Sequence, residues 1–315
     1  MAGLYPEIEP YDHGMLDVGD GHSLYWETCG NPEGKPAVVI HGGPGSGCSE
    51  GLRRYFDPAR YRAVLFDQRG CGRSLPLASD PDVDLSANTT EHLLGDLERL
   101  RVHLGIDQWL LFGGSWGSVL GLTYAIRHPE RVSEIVMMGL GTDRHCEIEM
   151  MIRGLGGVFP EAFARFRDGV GESERDGDLC VAYYRLLMDP DPAVHDRAAE
   201  GWLAWEDAMA SGRPRSPKFD DPAYKLAFTR LVTHYWSNRC WLEDGAILRD
   251  AGKLAGIPAV YAQGTLDLSN LSGVPWLLHS AHPGSELIMI DEVGHSTSDL
   301  AMQEALVGAT DRFAG

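Results

Sequence analysis

A serine stands among glycines in the stretch Gly113-Gly114-Ser115-Trp116-Gly117, directly after the apolar run 109–112. This G-x-S-x-G pattern is typical of a nucleophile elbow, a strained strand-to-helix turn that exposes a serine hydroxyl above a sheet. Residues 118–127 have the apolar spacing of a helix, so strand, turn and helix follow in the required order. The pattern predicts that Ser115 is a nucleophile. Because the chain contains 38 glycines, an ordinary glycine-rich turn is the simpler alternative.

A serine hydroxyl needs a histidine base, and the base needs an acid that orients its ring. Asp267 and His295 each follow one of the last two apolar runs that read as strands. We therefore predict a catalytic triad of Ser115, Asp267 and His295, in the chain order of nucleophile, acid and base. Asp291 and Asp299 also flank the histidine and are the alternatives for the acid.

Acyl transfer at a serine also requires backbone N–H groups aimed at the negative oxygen of the intermediate. Trp116, the residue after the nucleophile, is the predicted first donor. Gly43 is the predicted second donor, within the glycine-rich stretch His41-Gly42-Gly43-Pro44-Gly45 that follows an apolar run. A phosphate-binding loop is the alternative for this stretch, but no Gly-Lys-Ser/Thr sequence follows it.

Short apolar runs and helical periodicities alternate along most of the chain and predict an α/β fold. The predicted strands cover residues 24–28, 37–40, 63–66, 109–112, 135–138, 259–262 and 286–290, and the first three have the composition of buried parallel strands. Residues 89–104 predict a helix before the fourth strand. From residue 141, strand signals vanish for about a hundred residues, and helices are predicted at 148–154, 161–168, 177–188, 193–209 and 222–235. We predict a catalytic domain formed by 1–140 and 245–315, with a helical cap over 141–244.

Composition narrows the classes of partner. The chain has 315 residues, and its 43% hydrophobic content is sufficient for one large domain with an insertion. Its net charge of −19 argues against nucleic acids and anionic membrane surfaces as partners. The six cysteines include no C-x-x-C pair, so we expect no metal and no disulfide framework. The first residues do not resemble a secretion signal, and no apolar run reaches 18 residues, so we expect a soluble cytoplasmic protein. We expect no cofactor. A homo-oligomer is possible on this sequence.

Three motifs together resemble the proline iminopeptidase (prolyl aminopeptidase) family of α/β-hydrolases, which are serine peptidases. They are His41-Gly42-Gly43-Pro44-Gly45, Asp67-Gln68-Arg69-Gly70-Cys71-Gly72-Arg73-Ser74 and Gly113-Gly114-Ser115-Trp116-Gly117-Ser118. The resemblance implies the α/β-hydrolase fold, with a mostly parallel sheet flanked by helices and an inserted all-helical cap. It also implies metal-free release of an amino-terminal residue, typically proline.

In that family, acidic cap residues bind the free amino group of the substrate, as a desolvated ammonium requires. Glu206 follows Trp205 as in the Trp-Glu motif of the family's cap, so the resemblance implies that Glu206 binds substrate. The chain departs from the family at Val232, which stands where a second glutamate is expected. Asp207 and Glu243 stay open as substitutes for Glu206.

The two arginines of the second motif have two interpretations. Arg69 and Arg73 lie close in sequence to a predicted strand end, where a guanidinium could bind a substrate carboxylate. Arginines in such loops more often donate to carbonyls and hold loops together. We favour this structural role for both.

Three functions remain open from the sequence. The first is a serine aminopeptidase that acts on small peptides or aminoacyl amides. The second is an amidase or esterase for a small specialised metabolite, which the loss of an acid at Val232 favours. The third is a non-catalytic binder of small molecules on the same fold. Haloalkane and epoxide chemistry would need an aspartate in place of Ser115.

Overall fold

The structure, a computed structural model, describes residues 3–210, 214–271 and 273–315. Residues 211–213, which belong to the predicted cap, lie outside this part. Within the described residues, eight strands form one sheet in the order β1-β2-β4-β3-β5-β6-β7-β8. The strands are β1 (Asp12–Gly19), β2 (His22–Gly30), β3 (Lys35–Ile40), β4 (Tyr61–Phe66), β5 (Trp109–Ser115), β6 (Val132–Leu140), β7 (Ala259–Gly264) and β8 (Ser285–Ile290).

All seven predicted strands are present, and the sheet is parallel from β4 through β8. The expectation of a parallel strand at 24–28 is wrong, because β2 runs antiparallel to both β1 and β4. A tight turn at Asp20 and Gly21, both with positive φ, joins β1 to β2 and imposes this direction. The sequence analysis missed β1 because most of its residues are exposed, so it lacks an apolar run.

Ten α-helices are present in the described part of the chain. They are α1 (Thr90–His103), α2 (Trp116–Arg127), α3 (His145–Ile152), α4 (Pro160–Asp168), α5 (Leu179–Leu187), α6 (Pro192–Met209), α7 (Pro222–Ser237), α8 (Ala246–Asp250), α9 (Gly273–Ala281) and α10 (Leu300–Phe313). The predicted helices correspond to α1 through α7 with small shifts at their ends. The short helices α8 and α9 were not predicted, since α8 has five residues and α9 contains Pro275.

Aspartates begin three of the helices that lie between β6 and β7. Asp178, Asp191 and Asp221 each accept a hydrogen bond from a backbone N–H in the first turn of α5, α6 and α7. Proline occupies the first position of α6 and α7, where its missing N–H costs no hydrogen bond. These local signals explain why the helix starts were readable from the sequence.

Three apolar clusters stabilise the fold. Alternate residues of the parallel strands enter two clusters on opposite faces of the sheet: Val38 belongs to one and Val39 to the other. Helices α3–α7 build a third cluster of their own around Phe166, Trp202 and Trp205. This arrangement agrees with the predicted helical cap, whose boundaries at 141 and 244 stay a prediction.

Both arginines of the second motif hold loops together, as expected. Arg69 is fully buried and binds Asp96 of α1 through two bonds, from Nε to Oδ2 (2.7 Å) and from Nη2 to Oδ1 (2.9 Å). Its Nη2 also donates to the carbonyl oxygen of Val18 (3.1 Å). Arg73 donates from Nε to Asp67 Oδ2 (2.8 Å). These contacts join the loop after β4 to β1 and α1, beneath the carboxyl ends of the parallel strands.

Removing the charge of Asp96 should strongly destabilise the protein. In Asp96→Asn the side chain keeps its shape, but the buried Arg69 guanidinium loses its fully buried counter-charge. We expect the free energy of unfolding in urea to fall by about 3 kcal/mol. The control is Asp107→Asn, at an exposed pair with Arg131, which should change it by less than about 0.5 kcal/mol. Equal losses in the two variants would contradict this assignment.

Candidate active site

The turn between β5 and α2 holds Ser115 in a strained conformation. Its φ is 56° and its ψ is −129°, outside the regions that side chains ordinarily occupy. Neighbouring glycines permit this turn: a Cβ at Gly117 would lie 2.0 Å from the carbonyl oxygen of Ile40, and one at Gly114 would lie 2.3 Å from Met138 Sδ. The structure therefore confirms the predicted strand, sharp turn and helix around Ser115.

Asp267 and His295 meet at the ends of β7 and β8. His295 Nδ1 lies 2.7 Å from Asp267 Oδ2, and the Asp267 side chain is almost fully buried. Backbone N–H groups of Ser269 (3.0 Å) and Asn270 (2.8 Å) donate to Asp267 Oδ1 and fix the carboxylate. A carboxylate held in this way favours the ring tautomer with hydrogen on Nδ1, which leaves Nε2 as a base.

The two alternative acids lie elsewhere. Asp299 accepts a hydrogen bond from the backbone N–H of Ala301 (3.0 Å) and begins α10. Asp291 is exposed at the end of β8. The structure therefore brings Asp267, and neither alternative, to hydrogen-bond distance of His295.

A cavity of about 780 Å³ lies above these residues. Ser115 and His295 both line it, together with Gly43, Trp116 and Glu206. This volume lies within the range of cavities that enclose small organic ligands. The predicted nucleophile, base, oxyanion donors and substrate-binding residue thus all face one space, while Asp267 lies behind His295.

The glycine-rich loop after β3 is fastened to the elbow through buried hydrogen bonds. The backbone N–H of Gln68 donates to His41 Nε2 (3.0 Å), and Trp116 Nε1 donates to Gln68 Oε1 (3.0 Å). Burial lowers the pKa of His41, so the neutral ring can accept this bond. Gly43 has a φ of 114°, and Trp116 is the first residue of α2, where its N–H has no acceptor within the helix.

Sequence analysis missed three residues that position the histidine and its acid. Gly139 on β6 has a φ of 51°, and a Cβ there would lie 2.8 Å from His295 Cε1. Gln263 donates to Asp267 Oδ2 (3.2 Å), and Asn270 donates from Nδ2 to the carbonyl oxygen of Gly139 (2.9 Å). A glutamine at the buried end of β7 was the available signal, because a buried amide requires partners.

Glu206 lies on α6 and lines the cavity. Trp202 Nε1 donates a hydrogen bond to its Oε1 (2.7 Å). Burial raises the pKa of Glu206 to about 7, and the charge of Asp207 acts in the same direction. Asp207 also lines the cavity, but Arg215 binds its Oδ2 (2.7 Å). Glu243 does not line the cavity and pairs with Arg249, so of these three carboxylates Glu206 is the one that lines the cavity without a salt bridge to a described residue.

Helix α7 supplies an apolar wall. Tyr224, Phe228 and Trp236 line the cavity at intervals of four or eight residues, and Val232 lies on the same helical face. Val232 is 1% exposed and packs in the apolar cluster of the cap. Where the family resemblance leads one to expect an acid, this chain therefore has an apolar side chain that packs among the helices and does not line the cavity.

Neither a metal-binding cluster nor a membrane-spanning helix is found in the described part of the chain. No cluster of three or more His, Cys, Asp or Glu side chains there is arranged to hold a metal ion. Among those residues, no helix has both the length and the apolar character that a bilayer crossing requires.

The fold and this site define an α/β hydrolase. The sequence model of the α/β hydrolase fold matches residues 35–301, and the chain belongs to that family. A crystal structure of proline iminopeptidase from Mycobacterium smegmatis shares the fold, with a TM-score of 0.62 and 18% identity, over 96% of this chain and 97% of that one.

Within this fold, the relatives narrow the family further. A probable proline iminopeptidase of Streptomyces coelicolor is 58% identical over 99% of this chain and 98% of its own length. A proline iminopeptidase of Xylella fastidiosa is 44% identical over 99% and 100%. One of Arabidopsis thaliana is 40% identical over 98% and 82%. The chain therefore belongs to the proline iminopeptidase family, as its motifs predict.

The raised pKa of Glu206 predicts a pH-dependent effect on stability. A protonated Glu206 stabilises the folded protein at low pH, and this contribution is lost as the pH rises through about 7. Glu206→Gln keeps an acceptor for Trp202 and carries no charge. The difference in free energy of unfolding between this variant and wild type should therefore increase by about 2 kcal/mol, in favour of the variant, between pH 5 and pH 8.

Urea denaturation across this pH range measures the effect. Glu161→Gln is the control, since Glu161 is 88% exposed and pairs with Arg165 on the surface of α4. Its difference from wild type should stay within about 0.5 kcal/mol across the range. If the difference between Glu206→Gln and wild type does not change with pH, the carboxyl group is ionised without cost at this position.

Proposed function

We propose that this chain is a serine aminopeptidase that releases an amino-terminal residue, above all proline, from small peptides or aminoacyl amides. The observation that carries the proposal is the 2.7 Å contact between His295 and Asp267 at a cavity that Ser115 and Glu206 both line. The names of the relatives support the same reaction, since the Streptomyces, Xylella and Arabidopsis proteins are all called proline iminopeptidases.

The proposed chemistry is acyl transfer through the serine. Ser115 Oγ attacks the carbonyl carbon of the first residue while His295 Nε2 takes the hydroxyl proton. Asp267 keeps the ring oriented and stabilises the imidazolium that forms. His295 then protonates the leaving amine, and the acyl-enzyme remains. Water, activated by the same histidine, releases the amino acid and restores Ser115.

Gly43 and Trp116 are the proposed oxyanion donors. During attack the carbonyl oxygen becomes negative, and donors that are already in position stabilise it without reorganisation. The bonds from Trp116 to Gln68 and from Gln68 to His41 support this role, because they fix the loop and the elbow relative to each other.

Glu206 is the proposed partner of the substrate's ammonium group. The positive charge of the bound substrate would favour the ionised form of Glu206 and so offset the cost of its burial. The apolar wall of α7, with Phe228 and Trp236, would pack against a pyrrolidine ring. We propose that residues 141–244 form the cap that sets this specificity.

We also propose a cytoplasmic enzyme whose steps use only side chains and water. All six cysteines are free, which suits a reducing compartment. The partner is a small peptide or amide rather than nucleic acid or a membrane, because a net charge of −19 repels phosphates.

The two other functions are less well supported. An amidase or esterase for a small metabolite would not need Glu206 as an ammonium partner, and the names of the relatives do not favour it. A non-catalytic binder would have no need of a strained Ser115 beside a bonded His295 and Asp267. The two experiments below separate these functions from the proposed one.

Replacing Ser115 should abolish hydrolysis. We expect Ser115→Ala to lower kcat on proline p-nitroanilide by at least about 10⁴-fold, because the acyl-enzyme cannot form. A fluorophosphonate should label wild type and leave this variant unlabelled. Ser280→Ala, outside the cavity on α9, should behave as wild type. Folded wild-type protein that neither reacts nor hydrolyses would identify a non-catalytic binder.

Blocking the substrate's amino group should remove the contribution of Glu206. We expect wild type to prefer proline p-nitroanilide over its N-acetyl derivative by about 10- to 100-fold in kcat/KM, the size of one charged hydrogen bond. Glu206→Gln should lose most of this preference by slowing on the free amine alone, whereas the surface control Glu161→Gln should keep it. Comparable rates of wild type on both substrates would reject the aminopeptidase and favour the amidase or esterase.

A further inference from the structure

The connection between α6 and α7 places a lysine at the cavity. Lys218 lies in the short turn Pro217–Asp220, is exposed, and lines the same cavity as Ser115 and Glu206. The turn is held by its own hydrogen bonds, from Lys218 N to Ser216 Oγ (3.4 Å) and from Asp221 N to the Lys218 carbonyl oxygen (3.2 Å). These bonds order the backbone that carries the ammonium group, directly before the start of α7.

Lys218 differs from the other lysines in its ionic partners. Lys35, Lys225 and Lys253 each lie within 3.3 Å of a carboxylate oxygen. For Lys218 no carboxylate oxygen of the described residues lies within 4.0 Å, and the contact that its Nζ makes is with the Tyr224 ring, 5.7 Å from its centre. In an acidic chain with a net charge of −19, an ammonium at a cavity without a carboxylate partner is available to a ligand.

The neighbouring cation at the same rim is already neutralised. Arg215 also lines the cavity, but its guanidinium binds Asp207 Oδ2 and Glu200 Oε2, each at 2.7 Å. An arginine that is held by two carboxylates has little attraction left for a third anion. The positive charge that a ligand would meet at this rim is therefore that of Lys218.

Lys218 is linked to the oxyanion loop through Tyr224, whose ring lies 5.7 Å from the ammonium. Tyr224, beneath the ammonium, donates from its hydroxyl to the carbonyl oxygen of Ser46 (3.1 Å) in that loop. Burial lowers the pKa of His41, and the positive charge of Lys218 contributes to the shift. The link through Tyr224 therefore associates the ammonium with the loop that holds Gly43.

We propose that Lys218 binds the carboxyl-terminal carboxylate of a short peptide substrate and so makes the site selective for short peptides with a free carboxylate. The inference rests on the proposed aminopeptidase function. Glu206 and Lys218 give one cavity a negative and a positive group, which match the ammonium and the carboxylate of a zwitterionic peptide. Such pairing offsets the repulsion that the acidic protein exerts on a carboxylate.

The test compares prolyl-glycyl-glycine with its carboxyl-terminal amide. For wild type we expect kcat/KM to be about fivefold higher on the free acid, the effect expected of one partly exposed ion pair, and the preference should shrink as salt is added. Lys218→Gln should lower the rate on the acid to that on the amide and leave the amide unchanged. Lys218→Arg should keep most of the preference.

Lys253→Gln is the matched control. It removes one lysine charge outside the cavity, where Asp250 lies 3.3 Å from the ammonium, and should keep the wild-type preference. Equal rates of wild type on acid and amide would overturn the proposal, as would a Lys218→Gln variant that slows on both equally. If wild type hydrolyses neither peptide nor proline p-nitroanilide, the proposed function itself fails, so the two failures are distinguishable.

Discussion

Close backbone packing at the elbow is the constraint on which the rest of the site depends. A non-glycine residue with a φ of 56° and a ψ of −129° costs free energy, of the order of 1–3 kcal/mol. Ser115 keeps this conformation because Gly117 lies against the carbonyl oxygen of Ile40 and Gly114 lies against Met138. The elbow therefore packs closely against β3 and β6, the strands on either side of β5. A side chain at Gly117 would collide with the backbone of β3, and one at Gly114 would require the Met138 side chain to move.

The same principle operates at the histidine. Gly139 leaves room beneath the ring of His295, and Asn270 binds the Gly139 carbonyl oxygen while Gln263 reaches the carboxylate of Asp267. Parallel strands bring these residues together, because their carboxyl ends all open at one edge of the sheet. The antiparallel β1 and β2 contribute no side chain to the cavity. They anchor the loop after β4, β1 through the bond from Arg69 to Val18 and β2 through the bond from Arg73 to Glu27. The sheet thus separates residues that perform chemistry from residues that hold loops.

The helices between β6 and β7 determine the charges and the shape above the nucleophile. Their aromatic cluster fixes Trp202, which in turn binds Glu206 at the cavity. The turn before α7 presents Lys218 to the same cavity, and α7 itself presents an apolar face to it. A buried carboxylate with a raised pKa gains most from a cationic partner, whereas an exposed ammonium without an ion pair gains from an anionic one. The helices and the turn between β6 and β7 therefore supply both a carboxyl group and an ammonium group to one cavity.

The sequence by itself determined the elements that have strong local signals. Apolar runs located seven strands, the loss of strand signals after residue 141 located the helical insertion, and glycine spacing located Ser115, since each depends on residues adjacent in the chain. It did not yield β1, the antiparallel direction of β2, or the supporting contacts of Gln263 and Asn270 around the chosen Asp267. Those depend on pairing and on distances between residues far apart in the chain. Tertiary structure alone decided that Gly139 lies against the histidine ring, that Val232 is buried among the helices and that Lys218 lines the cavity, because a pocket forms only when distant segments pack together.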